Sequence, residues 1–437
     1  MANENLRLKA LKEKDRIIIV GGLIDFQING NQSIKQTTKY FLKKYDVIYL
    51  SAMPIKRTGL DKDYLVNESG FKIYRLPKFL LLPYYIFKYF LNFFKSNKMK
   101  NKSSTNSYKK FNEIVDYFDN TNKIGFLVYR TLQFLYVFFE FFRLSYFILK
   151  INPKFVYGVE SYGGLAASLI CKFFKIKVVK RFQGTPLIIK DNQIYNNKYL
   201  NSFISPYTVN KKNDLVVMAN DGTKGDEVLN FLNISRHNYC FMINGFNTDN
   251  LKDIADFNFG SGKHIVMLSK LKIWKRVDRG LYLLSSLIKY DDNIYLHIIG
   301  DGEMRYDLEI LANNLNINKN VIFHGSLSNR EALSYLKSSD LFWSFYDITN
   351  LGNPLLEASF FGIPIQTLYE SSMSKITPAE IMYGLEDFDK IVSDAKKILK
   401  YDSYNFKHRQ FSFKLKSNIV NWEDRVQMEI NWIEENL

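Results

Sequence analysis

Short, continuous apolar runs that alternate with helical stretches constrain the fold of this chain more than any other feature. The first run, residues 16–22, ends in two glycines, and a helical stretch at 33–44 and a second apolar run at 46–50 follow it. An uninterrupted apolar run is typical of a strand buried on both faces of a parallel sheet. The order strand, helix, strand therefore predicts a doubly wound α/β sheet.

The same alternation continues along the chain and starts again after a polar stretch at residues 249–264. In the first half it predicts strands at 155–159, 177–182, 215–218 and 239–243 and a small-residue helix at 164–174. In the second half it predicts strands at 265–268, 294–299, 321–323 and 341–344. We therefore expect two Rossmann-like doubly wound domains that face a central cleft, where open parallel sheets place their ligands.

The composition excludes several classes of protein. An apolar fraction of 46% in 437 residues is that of an ordinary globular protein of two or three domains. Two cysteines, Cys171 and Cys240, cannot form a disulfide framework, so we expect buried thiols in a reducing compartment. Residues 1–16 contain no apolar stretch, so no signal peptide is expected. The net charge of +16 suits nucleic acid, an anionic membrane or a phosphorylated ligand.

Aromatic residues concentrate in two segments of the first half, 79–94 and 126–147, and charged residues or proline interrupt both. Neither segment is therefore a good transmembrane helix. The loop between them has no acidic residue and carries Lys95, Lys98, Lys100, Lys102, Lys109 and Lys110. Together they have the composition of an interfacial membrane anchor within about 78–150. The alternative is that both segments pack on the first sheet and the lysines only solvate a loop. Nucleic-acid binding is not expected, because the aromatics fall in apolar blocks and not in a basic groove.

Three motifs follow strands of the second half. Residues 268–279 place Lys270 and Lys275 between a strand and a helix, where cations suit a diphosphate. A tight turn at 299–303 contains Gly302, which permits close backbone approach to a ligand. Residues 348–358 lead into a helix that begins near Pro354, and Glu357 offers a bidentate acceptor for two ribose hydroxyls. Each motif alone also suits an ordinary loop or helix start.

In this order the motifs resemble the retaining nucleotide-sugar glycosyltransferases of the GT-B fold, in the family-4-like group (glycosyl transferases group 1). The resemblance is strong over 265–368 and extends loosely to 243–248 and 421–426. It implies an acceptor-side domain at 1–250, a donor-binding domain at 251–418, and a helix at 419–437 that crosses back to pack on the first domain.

The resemblance implies a role for each matching residue. Lys270 stands where the family usually has Arg, and with Lys275 it would neutralise the donor diphosphate and stabilise the leaving group. Glu160 would take part in catalysis, and Gln183 would lie on the acceptor side. Expected donor-binding residues are Gly22, Gly30, Gly302, Thr349, Asn350, Leu351, Gly352, Asn353 and Glu357. Either Gly22 or Gly30 is the glycine of close approach.

The chain departs from the family's pattern at three positions. Thr349 stands where the first glutamate of a paired-glutamate motif normally contacts the donor sugar; Thr349, Asn350 or Asp347 could substitute. No histidine precedes His237, and Glu160 aligns approximately with the family's first-domain histidine. Gln183 replaces a usual histidine, and a neutral amide cannot act as a base.

The resemblance implies a retaining glycosyltransferase, for hexosyl or related transfer. It would move a sugar from a UDP- or GDP-linked donor to a hydroxyl of a membrane-proximal glycan, glycolipid or cell-envelope polymer. No cofactor or metal is expected, because the lysines supply the positive charge. The expected location is cytoplasmic, peripheral on the inner face of the cell membrane. The main alternative is a catalytically silent glycosyltransferase-like scaffold or glycan-binding protein at the membrane. A GT-B-fold epimerase is less expected, because its elimination chemistry would require acids and histidines.

Overall fold

The computed structural model describes residues 14–21, 32–54, 72–76, 123–185, 188–190, 193–195, 214–248, 251–347, 350–371, 373–374 and 376–437. Contacts divide the chain into two compact units. The first comprises Met1–Asn220, Gly225–Ile243 and Trp422–Leu437, and the second comprises Asp221–Lys224 and Asn244–Asn421.

The first unit is built on a seven-stranded parallel sheet. The strands of this unit are β1 Arg16–Gly21, β2 Asp46–Pro54, β3 Lys72–Leu76, β4 Phe155–Val159, β5 Lys177–Phe182, β6 Ile188–Lys190, β7 Gln193–Tyr195, β8 Asp214–Asn220 and β9 Tyr239–Ile243. Its first helices are α1 Gln32–Lys44, α2 Lys123–Ile151, α3 Glu160–Phe174 and α4 Gly225–Phe231. The sheet order is β3-β2-β1-β4-β5-β8-β9, so the winding reverses between β1 and β4, while β6 and β7 form a separate antiparallel hairpin.

The second unit contains a six-stranded parallel sheet with the order β12-β11-β10-β13-β14-β15. Its strands are β10 Lys263–Leu268, β11 Ile294–Ile299, β12 Val321–Gly325, β13 Leu341–Ser344, β14 Ile365–Leu368 and β15 Met382–Tyr383. Its helices are α5 Val277–Leu287, α6 Arg305–Asn314, α7 Asn329–Lys337, α8 Asn353–Phe360, α9 Phe388–Lys400 and α10 Asp402–Ser417. The winding reverses between β10 and β13, and ligands of such sheets bind at the carboxyl ends of the strands beside the reversal.

The last helix, α11 Trp422–Asn436, belongs to the first unit. Trp422, Val426 and Ile430 join the core formed by β1, β4 and α1. The buried Glu429 carboxylate accepts hydrogen bonds from the Tyr157 hydroxyl of β4 and from the neighbouring Arg425 guanidinium. Residues 244–248 and 419–421 fall in the second unit, where the Phe246 amide donates to the Val420 carbonyl at 3.0 Å.

Close packing of glycines sets α3 against the sheet. A Cβ on Gly163 would lie 2.1 Å from the Val20 carbonyl oxygen, and one on Gly21 would lie 2.5 Å from the Gly163 Cα. Gly21 also has a φ of +87°, which an L side chain rarely adopts. Because both positions lack side chains, the start of α3 approaches the carboxyl end of β1 at the reversal of the sheet.

The structure confirms the prediction of two doubly wound, parallel α/β domains. It adds β3, β14 and β15 and the helices α9 and α10, and it begins α3 at Glu160, four residues before the predicted Gly164. A capping box starts α7, where the side chains of Ser328 and Glu331 are each bonded to the other's main chain. Both cysteines are free and buried.

The aromatic segment 79–94 and the lysine loop 95–110 lie outside the described residues, whereas 126–147 lies within α2. In the described part of the chain, no helix has the length and apolarity needed to cross a membrane.

Candidate functional site

The side chain of Lys275 is enclosed by two aromatic rings at the reversal of the second sheet. Its Nζ atom lies 4.1 Å from the ring centroid of Trp274 and 3.5 Å from that of Tyr346, which follows β13. The pKa of Lys275 is lowered to about 7, mainly by burial and also by the charge of Lys272, while the charge of Glu370 opposes the shift. A cation held against ring faces and partly stripped of water is poised to bind an anion.

Lys270 is exposed and lies in the loop directly after β10. The turn after β11 supports this loop, because the Leu271 amide donates to the Asp301 carbonyl at 3.0 Å. A Cβ on Gly300, whose φ is +132°, would lie 1.9 Å from the Ser269 carbonyl oxygen, and one on Gly302 would lie 2.4 Å from that of Leu271. The predicted donor-binding Gly302 therefore has a packing role in the structure: it allows the two loops to meet.

Two arginines hold the Asp347 carboxylate, one of the groups considered for sugar recognition. Arg279 donates to it at 2.5 Å, and an Arg276 nitrogen lies 3.5 Å away and also pairs with Asp278. Burial raises the pKa of Asp347, and the two guanidinium groups oppose that rise. The Asp347 side chain is thus engaged in fixing the start of α5 against the end of β13.

Asn350 closes the turn after β13 with its own side chain. Its Oδ1 accepts from the Tyr346 amide and its Nδ2 donates to the Tyr346 carbonyl, both at 3.0 Å. The Gly352 amide donates to the Asn350 carbonyl at 2.8 Å, and Leu351 is buried. Asn353, the first residue of α8, is exposed. Thr349 lies outside the described residues.

Glu357 lies in the second turn of α8, beyond the positions where a side chain caps the helix. Burial raises the pKa of its carboxyl group to about 7. Its charge contributes to raising the pKa of the Tyr346 hydroxyl to about 12, after burial as the main cause. Tyr346 therefore packs on the ammonium group of Lys275 and is near enough to Glu357 for the charge of its carboxyl group to act on the hydroxyl.

Glu370 is a member of this site that sequence reasoning missed. It follows β14 by two residues, is only 8% exposed, and its Oε2 accepts from the Asn350 amide at 3.0 Å. The strand β14 at 365–368 had to be recognised to place Glu370 at the same edge of the sheet as Lys275. Its sequence, Ile-Gln-Thr-Leu, is half polar, so no apolar run indicated this strand.

In the first unit, Glu160 and Gln183 are brought together at the ends of β4 and β5. The Gln183 amide donates to Glu160 Oε1 at 2.9 Å, and Ser33 at the start of α1 donates to Gln183 Oε1 at 2.6 Å. Glu160 has a φ of +56°, an uncommon conformation for a residue other than glycine. Gly22 and Gly30 lie outside the described residues. Sequence reasoning missed Ser33 as the partner of Gln183.

Each unit thus presents polar side chains where its sheet reverses. The second unit offers an aromatic-flanked cation and two largely buried carboxyl groups, an arrangement suited to a ligand with phosphate and hydroxyl groups. The first unit offers a carboxylate hydrogen-bonded to a loop amide, next to a neutral side-chain amide.

Comparison with known proteins shows what the second unit is similar to. Residues 250–373 match the model of the glycosyl transferases group 1. A stretch of 119 residues is 30% identical to the alpha-monoglucosyldiacylglycerol synthase of Streptococcus pneumoniae (strain ATCC BAA-255 / R6) and covers 27% of either chain. The match thus spans about a quarter of that relative.

Solved structures extend the likeness to nearly the whole chain at low sequence identity. The Anabaena protein HepE, solved with UDP, is 9% identical and superposes with a TM-score of 0.64 over 96% of this chain and 100% of HepE. The lipopolysaccharide outer core galactosyltransferase WaaB is 14% identical, with a TM-score of 0.60 over 97% of this chain and 100% of WaaB. The chain therefore has the GT-B fold of these proteins, and residues 250–373, within its second unit, are similar to the glycosyl transferases group 1.

Proposed function

We propose that this protein is a retaining glycosyltransferase that moves a sugar from a nucleotide-diphosphate donor to a hydroxyl of a membrane-proximal glycan, glycolipid or cell-envelope polymer. The observation that carries the proposal is Lys275, held between Trp274 and Tyr346 within the segment that matches the transferase family. A scaffold without a donor would gain nothing from a lysine whose pKa burial lowers to about 7.

In the proposed mechanism the second unit binds the donor. Lys275 and the exposed Lys270 neutralise the diphosphate, and Glu357 accepts hydrogen bonds from the two ribose hydroxyls. As the bond to the sugar breaks, charge develops on the departing phosphate, and the lysines stabilise it. That phosphate takes the proton of the acceptor hydroxyl, so little side-chain acid–base chemistry is required. The lysines supply the positive charge, and the mechanism uses no metal. HepE was solved with UDP, which supports a uridine donor, and GDP is the second candidate.

The first unit supplies the acceptor side in this proposal. Glu160 is held in its strained conformation by the end of β4 and by the Gln183 amide, so its carboxylate has a fixed position. We assign it to the neighbourhood of the reacting sugar, where a carboxylate stabilises developing positive charge. Gln183, itself held by Ser33, then orients an acceptor hydroxyl.

The acceptor is proposed to be at a membrane, with the protein peripheral on the cytoplasmic face of the cell membrane. One face of α2 supports this: Phe134, Phe138, Phe142 and Leu149 recur at helical spacing and are 63%, 48%, 60% and 75% exposed. A neighbouring face of the helix is buried through Leu144 and Ile148. An apolar face of this kind, in a chain that also carries the lysine run at 95–110, suits the interface of an anionic bilayer. The related synthase is named for a glycolipid product.

Donor binding tests the proposal directly. Calorimetry with UDP, GDP and their common sugar derivatives should identify a donor, and that donor should be hydrolysed slowly without an acceptor. Lys275→Ala should weaken binding of the donor by roughly tenfold or more, because a charge-assisted contact to phosphate is lost. Lys400→Ala, at the exposed last residue of α9, is the matched control and should bind as the parent does.

The same measurement tests the alternative of a catalytically silent scaffold. If the parent bound no nucleoside diphosphate, the transferase proposal would be rejected in favour of the scaffold. Equal donor affinity of Lys275→Ala and the parent would contradict the role assigned to Lys275.

A further inference from the structure

In the proposed function, a side chain near the turn after β13 should bind the donor sugar. The resemblance implies a carboxylate at residue 349, and the chain has Thr349 there. Of the other residues considered, Asp347 is held by two arginines and Asn350 closes the turn with its side-chain amide. A buried carboxylate nevertheless lies beside this turn, and it comes from a different strand: Glu370, after β14.

The position of Glu370 is fixed relative to the turn. Its Oε2 accepts from the main-chain amide of Asn350 at 3.0 Å, and Asn350 directly follows Thr349. The Glu370 carboxylate is thus hydrogen-bonded to Asn350, the chain neighbour of Thr349, where the resemblance implies a carboxylate. It is also near enough to Lys275 for its negative charge to favour the ammonium form.

A glycine on the other side leaves room for this carboxylate. A Cβ on Gly222, whose φ is +90°, would lie 2.1 Å from Glu370 Oε1. Any side chain at residue 222 would therefore displace the carboxylate. An ionised carboxylate accepts about four hydrogen bonds, so the bond from Asn350 is compatible with further donors.

We propose that Glu370 determines sugar specificity: its carboxylate replaces the missing one at residue 349 and accepts hydrogen bonds from hydroxyl groups of the donor sugar. This inference rests on the proposed transferase function and adds the residue that recognises a hexosyl group. Two features argue for the role: Glu370 is hydrogen-bonded to the turn after β13 and acts electrostatically on Lys275, and its burial strengthens a hydrogen bond to a hydroxyl.

A purely structural role for Glu370 has a different consequence. If the carboxylate only held the turn after β13, its loss would loosen Tyr346, whose ring packs on Lys275. Nucleoside diphosphate and nucleotide sugar would then both bind more weakly, and by the same factor. A role in sugar recognition affects only the part of the affinity that the sugar contributes.

The test compares dissociation constants of the nucleoside diphosphate and the nucleotide sugar. The donor is first chosen as the tightest binder to the parent among the glucose, galactose, mannose and N-acetylglucosamine derivatives of UDP and GDP. In Glu370→Gln the amide oxygen still accepts from Asn350, and any loss of charge at Lys275 weakens the diphosphate and the nucleotide sugar by the same factor. The advantage of the nucleotide sugar over the diphosphate should fall by roughly tenfold or more. Glu380→Gln, at an exposed glutamate of the same unit, should change neither constant.

A second variant approaches the carboxylate from the other side. Gly222→Ala should displace Glu370 and give the same selective loss of sugar affinity. Equal weakening of both ligands in Glu370→Gln, or no change in either, would overturn the inference while leaving the transferase proposal intact. A parent protein that binds no nucleoside diphosphate would instead reject the transferase proposal itself, together with the inference.

Discussion

At the scale of single residues, the site depends on two ionisable groups whose pKa values burial moves towards neutrality from opposite sides. Burial lowers the pKa of Lys275 to about 7 and raises that of Glu357 to about 7. In the proposed mechanism Lys275 acts as a cation and Glu357 as an anion. The functional charge states are therefore both populated only in a narrow range of pH around 7.

We predict that affinity for the donor nucleotide is greatest near pH 7. As pH rises through the pKa of Lys275 the cation is lost, and as pH falls through the pKa of Glu357 the carboxylate is lost. Each limb should approach about a tenfold change in affinity per pH unit. Calorimetry with UDP or GDP from about pH 5.5 to 8.5 measures the profile.

Two conservative variants show which group causes the loss of affinity on each side of that pH profile. Lys275→Arg keeps a cation at every pH in the range and should remove the alkaline limb. Glu357→Gln should remove the acid limb and lower the affinity near neutral pH. The nucleotide's own ionisation is common to all three proteins and cancels in the comparison. If both variants kept the parent's profile, other groups would be responsible for it.

These residues could be identified from the sequence, but the side chains that surround them could not. Lys275 and Glu357 follow recognisable strand and helix patterns, so their place at the edge of the second sheet was predicted. The ring of Tyr346 over Lys275 and the carboxylate of Glu370 beside Asn350 come from strands distant in sequence. Such contacts depend on which strands are neighbours in the sheet, and local periodicity carries no information about that order.

At the scale of elements, the first unit depends on contacts that apolar patterning does not reveal. The helix α3 touches β1 through glycines, and a buried ion pair joins β5 to β8. Apolar runs gave most strands to within a residue or two at their ends, because a buried parallel strand is apolar throughout. They did not indicate how closely a helix approaches the sheet or which polar groups are buried between strands.

We predict that two adjacent glycines of α3 respond in opposite ways to substitution by alanine. Gly163→Ala places a Cβ 2.1 Å from the Val20 carbonyl oxygen and should destabilise the protein by about 2 kcal/mol or more. Gly164→Ala meets only side-chain atoms of Lys180 and Phe182 at 3.5 Å or beyond, and alanine favours helix by about 1 kcal/mol over glycine. Urea unfolding of both variants measures the difference. Similar stabilities would contradict the close contact between α3 and β1.

A second prediction concerns the buried ion pair. Lys180 Nζ lies 3.1 Å from Asp214 Oδ2, which also accepts from the Ser168 hydroxyl at 2.5 Å. Burial lowers the pKa of Lys180 and raises that of Asp214, and each partner's charge opposes the shift. Lys180→Met leaves a buried carboxylate without its cation and should lower the free energy of unfolding by about 3–5 kcal/mol. The double variant Lys180→Met, Asp214→Asn should recover much of the loss in the same urea experiment. A double variant as unstable as the single one would show that packing, and not charge, is responsible.

At the scale of the whole molecule, the structure shows where some of the charged and aromatic residues lie. The chain has a net charge of +16, 36 Phe and 29 Tyr. Part of the basic charge lies around the proposed donor site, at Lys270, Lys272 and Lys275. Part of the aromatic content lies on the outer face of α2, where Phe173 of α3 extends it. A total composition cannot distinguish a core aromatic from a surface one, whereas burial can. The exposed face of α2 is the reason to expect a membrane partner and not a nucleic acid.

We predict that the outer face of α2 is required for binding to anionic vesicles. In the variant Phe138→Ser, Phe142→Ser, Leu149→Ser, three exposed apolar side chains are removed while the buried face, with Leu144 and Ile148, is unchanged. The fold should persist, and the partition coefficient should fall at least about tenfold because apolar area no longer leaves water. Sedimentation with vesicles of phosphatidylcholine and phosphatidylglycerol measures this.

The matched control removes exposed aromatic residues from the second unit, Tyr290, Tyr306 and Phe406, and should bind as the parent does. Neutralising Lys95, Lys98, Lys100 and Lys102 tests the electrostatic part separately. That variant should lose the dependence of binding on phosphatidylglycerol, since each lysine near an anionic surface contributes about 1 kcal/mol. If the α2 variant and its control sedimented equally, the aromatic face would have another partner. Binding that persisted unchanged after the lysines were neutralised would leave the apolar face as the whole of the membrane contact.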